Sequence, residues 1–321
     1  MSRLVYMAFS GGGIGGGHKM IFRHVETLRE LGFDAVAYTG LDNTIPQWFA
    51  HKVPVEVASR LRPDDVLVIP DDSTDVLTQA SRMSRSVVVF CQSNPTLVAA
   101  SLPPVIDQFA TDRRPAMMVV APMLASLYAR LYPQAPIGLV PCFADERIFR
   151  PSQDRQRAVA FTPRKRPQGQ TAIRSLFERL HPGRPDMAWR ELSGVTEAQV
   201  AQAFATSTLH LSLSRMESVG MTPLEAMAAG CLCAGFNGVG GRVYATAENG
   251  FWAPEDDVEA AAEALALADD LVWSGGPRLK QMLEAGHETA DQWSYARFRV
   301  ALEAFWMEQA PDARITAGPL S

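Results

Sequence analysis

Strand-sized apolar runs alternate with helix-period patterns along almost the whole chain, and that grammar confines it to open, mostly parallel α/β sheets. It begins at residues 3–9, RLVYMAF, which stop at Gly11–Gly17, a seven-residue stretch holding six glycines. Met20, Ile21, His24, Val25, Leu28 and Leu31 then recur at helical spacing, Gly32 ends the pattern, and Ala35–Tyr38 reads as a second strand. Strand, Gly loop, helix, strand is the opening unit of a Rossmann-like sheet.

The alternation continues through Val66–Ile69, a helix over Thr74–Met83, Val87–Cys91, Met117–Val120, a helix over Leu124–Leu131 and Gly138–Val140. It lapses across Pro141–Pro151 and restarts with strand Ala158–Thr162, helix Thr171–Leu180, strand Ala188–Leu192, helix Glu197–Ala205, strand Thr208–Leu213, helix Pro223–Ala229, strand Cys231–Phe236 and helix Val258–Ala268. The 321 residues, 47% of them hydrophobic, suffice for two domains with their own cores. The expected division is residues 1–150 and 151–292. A last helix over 293–308, rich in aromatics (Trp293, Tyr295, Phe298, Phe305, Trp306), needs a surface to dock on and is expected to return to the first domain.

A net charge of −5 argues against nucleic acid as the main partner. Cys91, Cys142, Cys231 and Cys233 are too few and scattered for a disulfide framework, and the C-x-C at 231–233 has no second ligand cluster beside it, so buried thiols in a reducing cytosol are expected. The amino terminus lacks the apolar core of an export signal and no run is long enough to span a bilayer, which places the chain in the cytoplasm, with any membrane contact peripheral. The oligomeric state is not legible.

Gly11, Gly13 and Gly16 satisfy G-x-G-x-x-G between a strand and a helix, where backbone amides and the helix N-terminus can cradle a phosphate. The same glycines also suit a tight turn that lets strand and helix pack. A nicotinamide enzyme would further want an acidic residue after the second strand, and Asp42 stands in that region behind Thr39-Gly40.

The segment Ser212–Gly250 is more specific. A strand ending at Leu213 runs into a loop with Glu217, and Gly220 precedes Thr222-Pro223-Leu224-Glu225, a sequence that reads as N-cap, N1 and N3 of a capping box. The first amides of that helix, with Val219 and Gly220 before them, would face the space beyond the strand's carboxyl end, a seat for a diphosphate.

Glu217 and Glu225 are separated by seven residues, followed by Ala226-Met227-Ala228-Ala229-Gly230 and the pair Gly240-Gly241. This E-x7-E pattern resembles the donor-binding signature of the retaining GT-B glycosyltransferases of family 4. The resemblance implies two Rossmann-like domains facing across a cleft, an N-terminal acceptor domain and a C-terminal donor domain. It implies that Glu217 lies by the donor sugar, that Glu225 accepts from the nucleotide ribose, that the amides of Val219, Gly220, Met221 and Thr222 hold the diphosphate, and that Arg164 and Lys165 neutralise its distal phosphate. Gly15, Gly16 and Gly17 would approach the phosphate or the acceptor, and the loop with Gly194 and Val195 the base. For the residues taken alone, Glu225 can equally be the reciprocal cap of its own helix, and Arg164–Arg166 a solvated loop.

Four departures from the family pattern stand out. Ser218-Val219-Gly220 replaces Gly-Phe-Gly, Gly230-Cys231-Leu232-Cys233 replaces Gly-Thr/Cys-Pro-Val, and Tyr244 stands where an acidic residue commonly follows the Gly-Gly pair. The N-terminal strand end that often carries a His is here Phe90-Cys91-Gln92-Ser93-Asn94-Pro95, leaving Gln92 and Asn94 as polar candidates. His18 is another, either capping its helix or touching acceptor or phosphate. No D-x-D motif is present, so the expectation is metal-independent, retaining transfer of a sugar from a nucleotide-diphosphate sugar to a glycan or lipid-linked acceptor, as in polysaccharide biosynthesis, with no cofactor. An NAD(P)-dependent oxidoreductase using the Gly11–Gly16 loop and a non-catalytic nucleotide-sugar-binding protein are the alternatives.

Overall fold

A computed structural model describes residues 2–9, 14–40, 45–56, 61–184 and 187–315. Contacts divide the chain into two compact units, Met1–Cys142 with Phe298–Ser321, and Phe143–Arg297.

The first unit holds β1 (Leu4–Met7), α1 (Gly16–Glu30), β2 (Ala35–Tyr38), β3 (Val55–Glu56), β4 (Val66–Pro70), α2 (Thr74–Ala80), β5 (Val87–Cys91), α3 (Pro95–Ser101), α4 (Pro103–Ile106), β6 (Ala116–Val119), α5 (Pro122–Leu131) and β7 (Ile137–Leu139). The strands pair in parallel in the order β3-β2-β1-β4-β5-β6-β7. β1, β4, β5 and β6 are buried at every position. A parallel sheet covered on both faces selects such unbroken Val, Ile and Leu runs, and the alternation of a half-exposed strand is absent. Strand order reverses between β1 and β4, so the crevice beyond their carboxyl ends is where a doubly wound sheet takes a ligand. Gly15–Gly17 follow β1 there, and Asp71 follows β4.

The second unit runs β8 (Gln156–Phe161), α6 (Pro167–Leu180), β9 (Ala188–Glu191), α7 (Glu197–Thr206), β10 (Ser207–Leu213), α8 (Met221–Ala228), β11 (Leu232–Phe236), α9 (Gly238–Gly241), β12 (Gly250–Ala253), α10 (Val258–Ser274) and α11 (Gly276–Gln292), after which α12 (Tyr295–Gln309) begins. Its five parallel strands lie in the order β12-β11-β10-β8-β9. Val159, Phe161, Leu209, Leu211, Leu232 and Phe236 from the sheet pack with Ile173 and Phe177 of α6 and Ala261 and Leu265 of α10. The reversal here falls between β8 and β10.

From Phe298 onward, α12 packs within the first unit. Trp306 is fully buried, its indole Nε1 donates to the Tyr6 hydroxyl at 3.0 Å, and Phe298 lies 4.9 Å from the His24 ring, centroid to centroid. Burial lowers the His24 imidazole to about 3, so it is neutral in this packing. No helix among the described residues is long and apolar enough to cross a membrane.

Candidate functional site

In the second unit two chain segments leave the sheet on either side of the β8/β10 reversal. After β8, Pro163–Lys165 form one 3-10 turn, and after β10 the chain runs through Ser214–Gly220 into α8. The two meet at Glu217: its Oε1 is 3.9 Å from Arg164 Nη2 and 3.8 Å from Lys165 Nζ. Pairs this long and this exposed are worth little, about 0–1 kcal/mol, so both cations can turn to a stronger anion. Their neighbour Arg166 is used differently. It is buried, stacks 4.1 Å from the Phe236 ring centroid, donates to the Ser214 carbonyl at 3.3 Å and pairs with Glu255 and Asp256. It ties the 3-10 turn to the start of the β10–α8 loop, and the sequence signal for this was its place in an Arg-Lys-Arg run that reads as one cluster.

The entry to α8 corrects the sequence reading. Its N-cap is Gly220, at φ 77°, with no side-chain cap, and the helix starts at Met221, so Thr222 and Pro223 lie inside the first turn and Glu225 in the second. A T-x-x-E pattern satisfies a capping box in sequence, but the left-handed Gly220 turns the chain into the helix before Thr222 can serve. Glu225 is therefore not a reciprocal cap. It is buried, and its carboxylate lies close enough to Tyr244 to act on it electrostatically. The amides of Met221 and Thr222 open the helix without intrahelical acceptors. Val219 is buried beside them.

Gly238–Gly241 clamp this loop from the other side. A Cβ on Gly240 would stand 2.5 Å from Ser218 C and Val219 N, and one on Gly238 2.7 Å from Arg215 O. Val239 N donates to Arg215 O at 2.7 Å, and the Tyr244 hydroxyl donates to Gly220 O at 2.5 Å. Burial, with the nearby Glu217, Cys233 and Glu225, holds that phenol well above its ordinary range. Gly194, at φ 66°, and Val195 lie on the exposed turn between β9 and α7, and no contact joins them to the Glu217 cluster among those described.

In the first unit, Gly15 is the N-cap of α1, and Gly16, Gly17 and His18 form its first turn. A Cβ on Gly17 would stand 2.9 Å from Gln92 Oε1, so the missing side chain is what lets Gln92 pack against the helix start. His18 does not cap the helix. Its Nε2 is 3.4 Å from Ala8 O, and burial lowers its pKa. His18 Nδ1 and Gln92 Oε1 are both buried without a partner among the described residues. Asn94 Oδ1 accepts from Thr96 N at 3.1 Å, an Asx turn that opens α3. Behind this loop lies Asp71, which the sequence reading missed although it ends an apolar strand. Its carboxylate accepts from Ser93 N at 3.1 Å, Ser93 Oγ at 2.8 Å and Tyr128 Oη at 3.2 Å, and burial pushes its pKa up to about 6. Gly11, Gly13 and Asp42 lie outside the described residues. No group of three or more His, Cys, Asp or Glu is disposed to hold a metal among the described residues, and all four cysteines are free and buried.

Residues 191–271, which include the β10–α8 loop and the glycine clamp, match the family model described as glycosyl transferases group 1. That stretch is similar to the group 1 glycosyltransferases, and the whole chain has the two-sheet architecture of the GT-B fold. The chain is 24% identical over 246 residues to an alpha-1,6-glucosyltransferase of Actinobacillus pleuropneumoniae, an alignment covering 73% of this chain and 72% of that protein. Among solved structures, sucrose-phosphate synthase from Thermosynechococcus elongatus superposes with a TM-score of 0.71 at 13% identity, covering 97% of this chain and 100% of that one. Anabaena HepE in complex with UDP gives 0.67 at 13% identity over 97% and 100%. An alpha-glucosyltransferase in complex with UDP gives 0.62 at 14% identity over 96% and 100%. These likenesses show the GT-B fold, and residues 191–271 carry the similarity to glycosyl transferases.

Proposed function

We propose that the chain moves a hexosyl group from a UDP-sugar to a hydroxyl of a glycan or glycoconjugate, with retention and without a bound metal. One observation carries this reading: two cations and a carboxylate converge, from the ends of β8 and β10, beside the N-terminus of α8. UDP is chosen because HepE and the alpha-glucosyltransferase were captured with it, and a glucosyl donor because the curated relative is named for one.

In the proposed reaction the bond between the anomeric carbon and the diphosphate oxygen breaks, and the acceptor oxygen bonds to that carbon on the same face. The acceptor's proton passes to the departing phosphate oxygen, which needs no separate base. Arg164, Lys165 and the amides at Gly220, Met221 and Thr222 take up the negative charge that develops on UDP, and donors preset for developing charge are the largest class of catalytic effect. Glu217 orients the sugar and stabilises its oxocarbenium-like state, and Glu225 accepts from the ribose. In the first unit, His18 and Gln92, each with a buried unpartnered atom, supply polar contacts for the acceptor. The nicotinamide reading is not favoured, since the group 1 match points to glycosyl transfer.

The test is turnover with UDP-glucose, UDP-galactose and UDP-N-acetylglucosamine, using hydrolysis of bound donor as the basal reaction. Joint Arg164→Ala and Lys165→Ala substitution should lower kcat about 10²-fold or more, and Glu217→Ala should abolish detectable turnover. Undiminished hydrolysis in both variants sinks the site assignment. Binding without any turnover in the wild type would favour a non-catalytic nucleotide-sugar-binding protein, and stabilisation by NAD(P) alone would return the oxidoreductase.

A further inference from the structure

We infer that Tyr244 is a positioning residue for the donor diphosphate, setting the direction of the α8 amides before any ligand arrives. The inference rests on the proposed donor site and adds a residue to it. Gly220 and Met221 share one planar trans peptide, in which C=O and N–H point to opposite sides. Tyr244 Oη holds the carbonyl end of that peptide at 2.5 Å. The Met221 amide is thereby aimed away from the buried Tyr244, toward the side on which Met221 and Thr222 are half exposed.

The tyrosine is itself pinned. Its amide donates to Gly241 O at 3.0 Å, its carbonyl accepts from Asn249 Nδ2 at 2.6 Å, and its ring meets Trp293 edge to face at 6.1 Å. Around the Gly220 α-carbon the packing is closed: a Cβ there would stand 3.2 Å from Tyr244 Oη, 3.3 Å from Glu217 Oε2 and 3.4 Å from Ser214 Oγ. One hydroxyl thus fixes a turn that touches the carboxylate proposed to face the sugar. A phenyl ring would fill the same volume without holding the peptide, so the hydroxyl is the separable part.

The experiment compares Tyr244→Phe with wild type, measuring UDP by calorimetric titration and uridine, which has no phosphate, by ligand-observed NMR. The expected result is UDP affinity lower by about five- to tenfold, the factor for one misdirected amide–phosphate hydrogen bond, with uridine affinity unchanged and the melting temperature lowered only by the roughly 2–4 °C that one internal hydrogen bond is worth. Gly220→Ala, which crowds the same point, should weaken UDP binding in the same direction and by more. Unchanged UDP affinity in Tyr244→Phe overturns the inference, as does equal weakening of UDP and uridine, which would mark a general loosening of the fold. A wild type that binds neither overturns the donor-site reading itself, and this inference with it.

Discussion

Gly240 shows how a single residue can be fixed by what it lies against. The atoms a Cβ would strike are backbone, Ser218 C, Val219 N and Glu217 O, and these cannot swing aside as a long side chain could. Gly240→Ala should therefore displace the phosphate loop, costing about 1–3 kcal/mol in urea unfolding and weakening UDP binding. An alanine variant that retains both would show that the loop yields freely. Asp71 makes a second prediction. Its carboxyl is raised from the usual carboxylate range to about 6 by burial, so the folded chain holds that proton more tightly than the unfolded chain. The resulting stabilisation is fully present below about pH 4 and is lost as pH rises through 6. Relative to Asp71→Asn, wild type should gain at most about 3 kcal/mol on going from pH 7 to pH 4. A pH-independent difference between the two unfolding curves would mean that Asp71 ionises as an ordinary exposed carboxyl.

At the scale of elements, Arg155 joins two helix ends. Its guanidinium donates to the carbonyls of Ala205 at 3.4 Å and of Ala229 and Gly230 at 2.7 Å, and it also reaches Ser207 O, so it closes the C-termini of both α7 and α8. Helix C-terminal carbonyls want such a cation. Arg155→Met would strip them of it and should destabilise the second unit by about 1–3 kcal/mol, read from its urea transition; a shift within error would mean that water replaces the arginine. The strong elements were legible in the sequence: Ala35–Tyr38 and Val87–Cys91 appear with the bounds read from their apolar runs. Elements without such runs were missed. β3 has two residues, β12 is four residues between Asn249 and Pro254, and α11 is largely polar outside Leu279, Met282, Leu283 and Ala290. In the candidate site, Glu217, Arg164 and Lys165 each stand just past a clear strand in the sequence, and the roles proposed for them come from the family resemblance. Arg166 and Tyr244 could not be assigned, because what separates a contact residue from a buried support is tertiary packing, which local pattern does not carry.

For the molecule as a whole, the first unit is discontinuous in sequence, completed by residues from 298 onward. Trp306 is its largest fully buried side chain from that end, and Trp306→Ala should cost about 3–5 kcal/mol, with the loss seen in the first unit's hydrogen exchange and the second unit's protection retained. Loss of protection in both units together would show instead that they unfold as one. Discontinuity also sets an order of assembly. A ribosome finishes residues 143–297 while the aromatic wall that covers Tyr6 and His24 is still untranslated, so the half of the protein made first is the half that must wait. During that interval the face that Phe298 and Trp306 will cover stays open, and a chain truncated after Arg297 should leave the first unit sensitive to protease while the second unit resists it.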